Sequence, residues 1–148
     1  MTSDAGDIIR PNKDGAKKAM ILALNDAKIN SSEIGYINAH GTGTILNDKT
    51  ESLAINEVFN GMSNPPLVSS TKSLHGHLIG GAGAIELVSC LMSLNDGIIP
   101  PTINFEEKDP ECDLNLVVNT SKEKRVEYTL SNAFAFGGTN SVLVIKKI

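Results

Sequence analysis

An α/β fold with a mixed sheet is predicted by three observations. Apolar residues recur at helical spacing in three stretches, and short apolar runs of strand character alternate with those stretches. The last two strand runs are adjacent and joined by a glycine-bearing turn, so they pair antiparallel in a sheet whose other strands need helical crossovers.

Ala16, Ala19, Met20, Ala23, Leu24 and Ala27 recur at three- and four-residue intervals, placing one apolar face on a helix over residues 14–28. A short turn, Asn30-Ser-Ser-Glu33, leads into Ile34-Gly-Tyr-Ile-Asn-Ala39, which reads as a buried strand with His40 at its carboxyl end. Asp48 followed by Glu51 resembles a capping box that opens the next helix. Ala54/Val58 and Ile55/Phe59 make apolar pairs one turn apart along it, up to the stop at Asn60-Gly61. Asn64-Pro-Pro66 breaks the chain before a second short strand, Leu67-Val-Ser-Ser70. The helix expected over residues 80–95 is small or apolar on every side, and such a helix must be buried. After Gly97, Pro100-Pro101 and Pro110 mark an irregular stretch that crosses a surface. Strands over residues 128–133 and 141–146 then flank Phe134-Ala-Phe-Gly-Gly-Thr-Asn140 as a hairpin. No internal repeat interrupts this order.

The chain has 148 residues, 41% hydrophobic and 20% charged, enough for one ordinary core, and a single domain over residues 1–148 is expected. Net charge is -4, and the basic residues are spread thinly except at 122–125, so no basic stripe points to nucleic acid. The longest apolar run, 79–94, is interrupted by Glu86 and three glycines, and no membrane span is expected. The amino terminus is polar and lacks an apolar signal core. Two cysteines without CxxC or Cys/His spacing fit a reducing cytoplasm and no structural zinc.

Three polar segments follow strand-like runs, where α/β proteins keep their chemistry: His40-Gly-Thr-Gly-Thr44, Ser70-Thr-Lys-Ser-Leu-His-Gly-His77 and Asn132-Ala-Phe-Ala-Phe-Gly-Gly-Thr-Asn140. Neutral imidazoles at His40 and His77 can each donate an N–H to a carbonyl oxygen that gains charge, the requirement for stabilising an enolate or tetrahedral intermediate. Singly, each also fits a satisfied structural histidine; the pair at neighbouring strand ends points to acyl transfer. A metal site would need a third ligand, and Asp48 is the one acidic residue nearby. Glu86 is the only charged residue between Ile79 and Asn95, so it needs a cation, and Lys72 is the nearest basic residue in sequence. That pair reads as a structural ion pair or as part of the histidine site. Thr42 and Thr44 offer hydroxyls to a polar ligand arm, or serve the turn alone. Gly80-Gly-Ala-Gly83 lacks the ending of a P-loop and the last glycine of a dinucleotide fingerprint, so it reads as close helix packing. Cys90 lies among apolar residues and Cys112 among acidic ones; both settings raise a thiol's pKa, and neither is a convincing nucleophile.

Tyr36-Ile-Asn-Ala-His-Gly-Thr-Gly-Thr44, Ser69-Ser-Thr-Lys-Ser-Leu-His-Gly-His77 and Asn132-Ala-Phe-Ala-Phe-Gly-Gly-Thr-Asn140 together resemble the carboxyl-half signatures of β-ketoacyl-acyl-carrier-protein synthases. The chain is most similar to the elongating, type II condensing enzymes, and Pro100-Pro-Thr-Ile-Asn104 and Cys112-Asp-Leu114 extend the likeness. The resemblance implies the carboxyl-terminal half of a thiolase-like fold. It implies that His40 and His77 hydrogen-bond the malonyl thioester carbonyl and that Lys72 pairs with Glu86 to order the site. Thr42 and Thr44 would contact the phosphopantetheine arm, and Phe136, otherwise a core candidate, would be the gating phenylalanine whose N–H completes the oxyanion hole. No cofactor is implied beyond the phosphopantetheine of the acyl carrier protein that brings the substrate. The implied partners are that carrier protein, the chain's own amino-terminal half and a second copy in a homodimer, all cytoplasmic. Gly43 and Ala135 depart from the family's usual serine and glycine, and Ala135 is expected to stiffen the gate.

The family's nucleophilic cysteine belongs to the amino-terminal half, so the chain is expected to be a truncated piece without it. The resemblance further implies that the first strand of this half, central between the strand ending at His40 and the strand beginning at Tyr128, is absent. The resulting gap and an uncovered apolar helix would make the chain self-associate. A polyketide ketosynthase fragment shares these motifs, and a non-catalytic, chain-length-factor-like interaction module is the reading from a different class.

Overall fold

The computed structural model describes residues 1–4, 6–7 and 10–148. Strand β1 is Thr2–Ser3, and helix α1 runs over Lys13–Ala27, where the Asn12 side chain accepts from the N–H groups of Asp14 and Gly15. Strand β2 is Ile34–Asn38, α2 Ile45–Phe59, β3 Leu67–Ser69, α3 Lys72–His75 and α4 Ala82–Asp96. Strands β4 (Ile98–Ile99) and β5 (Lys122–Glu123) form a small separate ribbon, and β6 (Tyr128–Ala135) and β7 (Thr139–Lys146) end the chain as a hairpin.

The main sheet has the order β1-β7-β6-β2-β3. β2 is parallel to β3 and to β6, while β6 and β7 are antiparallel, so the sheet is mixed as expected. The pairing of Ile37 with Leu130 places β2 directly beside β6. This overturns the expectation of a missing central strand: no gap separates the strand ending at His40 from the one beginning at Tyr128. The amino-terminal residues Thr2 and Ser3 pair instead at the outer edge, against β7. The opposite edge, β3, is covered by irregular chain: Val68 donates its N–H to the Asn115 carbonyl and accepts from the Val117 N–H, both at 2.9 Å.

β2 is buried on both faces, so successive residues enter different cores. Ile37 packs with Ala19, Met20, Ile55, Phe59 and Leu130 under α1 and α2. Tyr36 packs with Leu67, Cys90, Leu94, Ile99 and Val117 under α4. Helices therefore flank the sheet on both sides, and the carboxyl ends of β2 and β3 open on the same edge.

α4 corrects a second expectation. Its inner stripe, Ala82, Glu86, Cys90, Ser93 and Leu94, is buried, but Val88, Leu91 and Met92 are 47%, 47% and 58% exposed. The helix is covered on one side only, so an apolar face that the residue pattern placed in the interior is open, and with β2 paired directly to β6 the expected strand gap that would drive self-association is absent.

The opening of α2 is a third correction. The helix starts at Ile45 with Thr44 as its N-cap residue, and Glu51 turns inward rather than back to Asp48. The reciprocal bond of a capping box occurs earlier, where the Asn30 N–H donates to Glu33 Oε2 at 2.8 Å. The final hairpin is tighter than predicted: Ala135 pairs with Thr139, leaving Phe136, Gly137 and Gly138 in the turn, both glycines at positive φ.

Candidate active site

His40 stands at the carboxyl end of β2, 7% exposed, and His77 lies on the chain between α3 and α4, exposed to solvent. Their rings meet edge to face, with centroids 5.7 Å apart. The Phe134 ring of β6 also lies against the His40 ring, tilted, with centroids 5.5 Å apart. Lys72, the first residue of α3, forms a buried ion pair with Glu86 of α4. Asn38 of β2 fixes this pair's surroundings, donating to Thr71 Oγ1 at 3.0 Å and accepting the Thr71 N–H at 3.3 Å. The structure thus brings His40, His77, Lys72 and Glu86 together.

The hydrogen bonds determine which nitrogen of each imidazole carries its proton. An ammonium can only donate, and Lys72 Nζ lies 3.4 Å from His40 Nδ1, so Nδ1 accepts and Nε2 holds the proton. The backbone N–H of Ile79 donates to His77 Nδ1 at 3.0 Å, giving His77 the same tautomer. Ile79 reaches this bond from φ +49°, a left-handed conformation rare for a β-branched residue, although its side chain is 79% exposed.

Burial, reinforced by the Lys72 charge and by His77, pushes the His40 imidazole down to about 3. His40 is therefore expected to stay neutral from pH 7 to about pH 4, measurable by NMR titration of its ring carbons. Between the ordinary value of 6.5 and about 3, the unfolded chain binds a proton that the folded chain refuses. Stability must then fall as pH drops through that window. A His40 resonance that titrates near 6.5 in the folded chain would contradict this geometry.

Thr42 and Thr44 lie on the loop after His40, with hydroxyls 2.8 Å apart. Gly41 has φ +39° and no room for a side chain, since a Cβ there would meet Ser70 Cβ at 2.5 Å. Ser70 uses that closeness to donate to the Gly41 carbonyl at 2.7 Å. Thr42, Thr44, Lys72, His77, Ile103 and Phe105 contribute to the wall of a cleft of about 530 Å³. The wall is tied together by the Ser70 N–H donating to Thr102 Oγ1 and the Ile103 N–H to Ser73 Oγ, each at 2.9 Å.

Phe136 is 83% exposed at the tip of the hairpin, which corrects its reading as core. The turn is anchored to the start of the chain: the Asp4 N–H donates to the Gly138 carbonyl at 2.8 Å, and Asn140 Nδ2 to Asp4 Oδ2 at 2.7 Å. Cys90 is wholly buried, with its thiol pushed up to about 11 by desolvation, and burial also raises Cys112. Among the described residues, no group of three His, Cys, Asp or Glu side chains is placed to hold a metal ion, and no helix is long and apolar enough to cross a membrane.

Sequence reasoning missed Glu51, Asn38, Asn132 and Phe134 as site residues. The available signal was a polar residue inside an apolar strand at Asn38 and Asn132, both wholly buried here. Glu51 gave no such signal, because a carboxylate in the first turns of a helix fits capping equally well.

A mixed sheet flanked by helices on both faces, with parallel β2 and β3 opening on one edge, is the carboxyl half of a thiolase-like fold. Residues 1–106 match the family model described as β-ketoacyl synthase, C-terminal domain, and the chain belongs to that family. It is 44% identical over 148 residues to nodulation protein E of Rhizobium sp. (strain N33), covering 100% of this chain and 37% of that protein. It is 46% identical over 149 residues to 3-oxoacyl-[acyl-carrier-protein] synthase 2 of Synechocystis sp. (strain ATCC 27184 / PCC 6803 / Kazusa), covering 99% and 36%. Among solved structures, the ishigamide ketosynthase/chain length factor superposes with a TM-score of 0.96 at 42% identity, over 99% of this chain and 36% of that one. The chain therefore spans little more than a third of the length of these relatives.

Proposed function

We propose that this chain is the carboxyl-terminal part of a 3-oxoacyl-[acyl-carrier-protein] synthase, which joins a malonyl unit to an acyl thioester with loss of carbon dioxide in fatty acid elongation. The observation that carries this reading is the shared tautomer of His40 and His77: each ring has Nδ1 engaged as acceptor and keeps an Nε2–H to donate. Two such donors suit a thioester oxygen that becomes an enolate oxygen. As the malonyl carboxylate leaves as carbon dioxide, the electron pair of the broken bond passes into the enolate, and the imidazoles stabilise the charge without giving up their protons. The enolate carbon then attacks an acyl thioester carbonyl held on a cysteine of the amino-terminal half, and the thiolate is expelled.

In this reading Lys72 and Glu86 hold the His40 ring, Thr42 and Thr44 bind the phosphopantetheine arm, and Phe136 gates the acyl side. The partners are acyl carrier protein, the amino-terminal half and a second copy, in the cytoplasm. A non-catalytic interaction module would have no need of two imidazoles locked as donors. A polyketide ketosynthase would use the same residues on a different acyl chain.

The test is to exchange this segment for its counterpart in the Synechocystis synthase and to replace His40 or His77 by Ala. Decarboxylation of malonyl-carrier protein is expected to fall by about 100-fold or more, while acyl transfer to the cysteine persists. Undiminished decarboxylation in both variants would refute the assignment.

A further inference from the structure

His75 is the third histidine of the chain, and the proposed mechanism gives it no task. It is the last residue of α3, half-buried, and its ring bridges the two ends of that helix. Nδ1 lies 2.8 Å from the Gly76 carbonyl oxygen, and Nε2 lies 3.2 Å from Thr71 Oγ1. A carbonyl can only accept, so Nδ1 carries the proton and Nε2 of the neutral ring accepts from the Thr71 hydroxyl. This tautomer is the reverse of the one shared by His40 and His77.

α3 is a single turn, too short to hold itself; no side chain caps its start, and Leu74 on it is exposed. Its length nonetheless sets the separation of two site residues, because Lys72 begins it and His77 follows its C-cap, Gly76. The chain turns away at Gly76, at φ +80° and ψ 176°, where a Cβ would meet nothing within 4 Å. Packing therefore does not fix the Gly76–His77 peptide. Hydrogen bonds do: the Gly76 N–H donates to the Lys72 carbonyl at 2.8 Å, and the Gly76 carbonyl accepts from His75 Nδ1–H. That carbonyl belongs to the peptide that carries His77, so its orientation sets the direction from which the His77 ring enters the site. Thr71 gives the other end of the His75 ring a fixed base, being buried and accepting from Asn38 Nδ2 at 3.0 Å.

We propose that His75 is a positioning residue for His77: its ring staples Thr71 at the head of α3 to the Gly76 carbonyl at its foot, and so fixes the peptide from which His77 meets His40. The staple stands apart from any reaction; its consequence for turnover rests on the function proposed above.

The staple can be read in the 148-residue chain by NMR. At mildly alkaline pH the wild-type His75 ring should be protonated at Nδ1, against Nε2 for His40 and His77, with a coupling across the hydrogen bond from His75 Nδ1 to the Gly76 carbonyl carbon. His75→Phe keeps a ring and loses both nitrogens. In that variant His77 should lose its single tautomer, and the Ile79 amide that donates to His77 Nδ1 should shift. His75→Asn keeps a donor in the place of Nδ1 while giving up Thr71, and it should restore most of both signals. Should His75→Phe fail to fold, the wild-type tautomer and the Asn variant still decide. An Nε2-protonated His75 would overturn the proposal, as would a His75→Phe chain that melts lower while His77 keeps its single tautomer, or an Asn variant that restores nothing. In the segment-exchanged synthase, His75→Phe should lower kcat for malonyl decarboxylation by about 10- to 100-fold with KM within about twofold, and His75→Asn should recover most of the loss. Unchanged kcat in His75→Phe would also overturn it. An inactive synthase carrying the wild-type segment would count against the proposed function and leave the staple, read in the isolated chain, standing.

Discussion

Replacing either Lys72 or Glu86 by an apolar residue is expected to cost about 3–5 kcal/mol of folding stability, whereas replacing both should cost much less. The two side chains are only 5% and 1% exposed, so each is in a low-dielectric setting where its charge is tolerable only beside the other. Removing Lys72 leaves the Glu86 carboxylate buried, with Oε2 already lacking a partner among the described residues. Removing Glu86 leaves the Lys72 ammonium with the 3.4 Å contact to His40 Nδ1. Urea unfolding of Lys72→Met, Glu86→Leu and the double variant measures the coupling directly. Additive losses would mean that the pair does not interact. Loss of Lys72 should also raise the His40 titration, because the Lys72 charge is one of the causes that lowers it.

Incubated alone with an acyl-acyl-carrier-protein thioester, the 148-residue chain is expected to form no acyl-enzyme and no 3-oxoacyl product. Covalent catalysis needs a thiolate that can be reached, and neither cysteine supplies one. Cys90 is wholly buried on the inner face of α4 with its thiol pushed up to about 11, and the neighbouring Glu86 contributes to that rise. Cys112 borders the cleft, but burial raises its thiol and Asp109, Asp48 and Glu111 add to the effect. Intact-mass measurement after such an incubation should show the unmodified chain. A stable adduct mapped to Cys90 or Cys112 would contradict the environments described here.

The sequence by itself determined the three long helices, apart from the opening of α2, the order of the four strands β2, β3, β6 and β7 along the chain, and His40, His77, Lys72 and Glu86 as candidates, because each is encoded locally; the short α3, β1, β4 and β5 left no such pattern. Periodicity marks which face of a helix or strand is buried, and a lone charge in an apolar helix demands a partner close by. Local signals do not decide which strands become neighbours. The direct pairing of β2 with β6 joins residues about ninety positions apart, and it was settled by two strands that each needed a neighbour on both sides. The inward turn of Glu51 has the same character. One helical turn offers a carboxylate the chance to cap its own helix, but only the assembled fold brings the His40 and Gly41 N–H groups and the Asn132 amide within reach. Once those donors are buried they must be satisfied, and a residue that local chemistry assigned to a helix end becomes their acceptor.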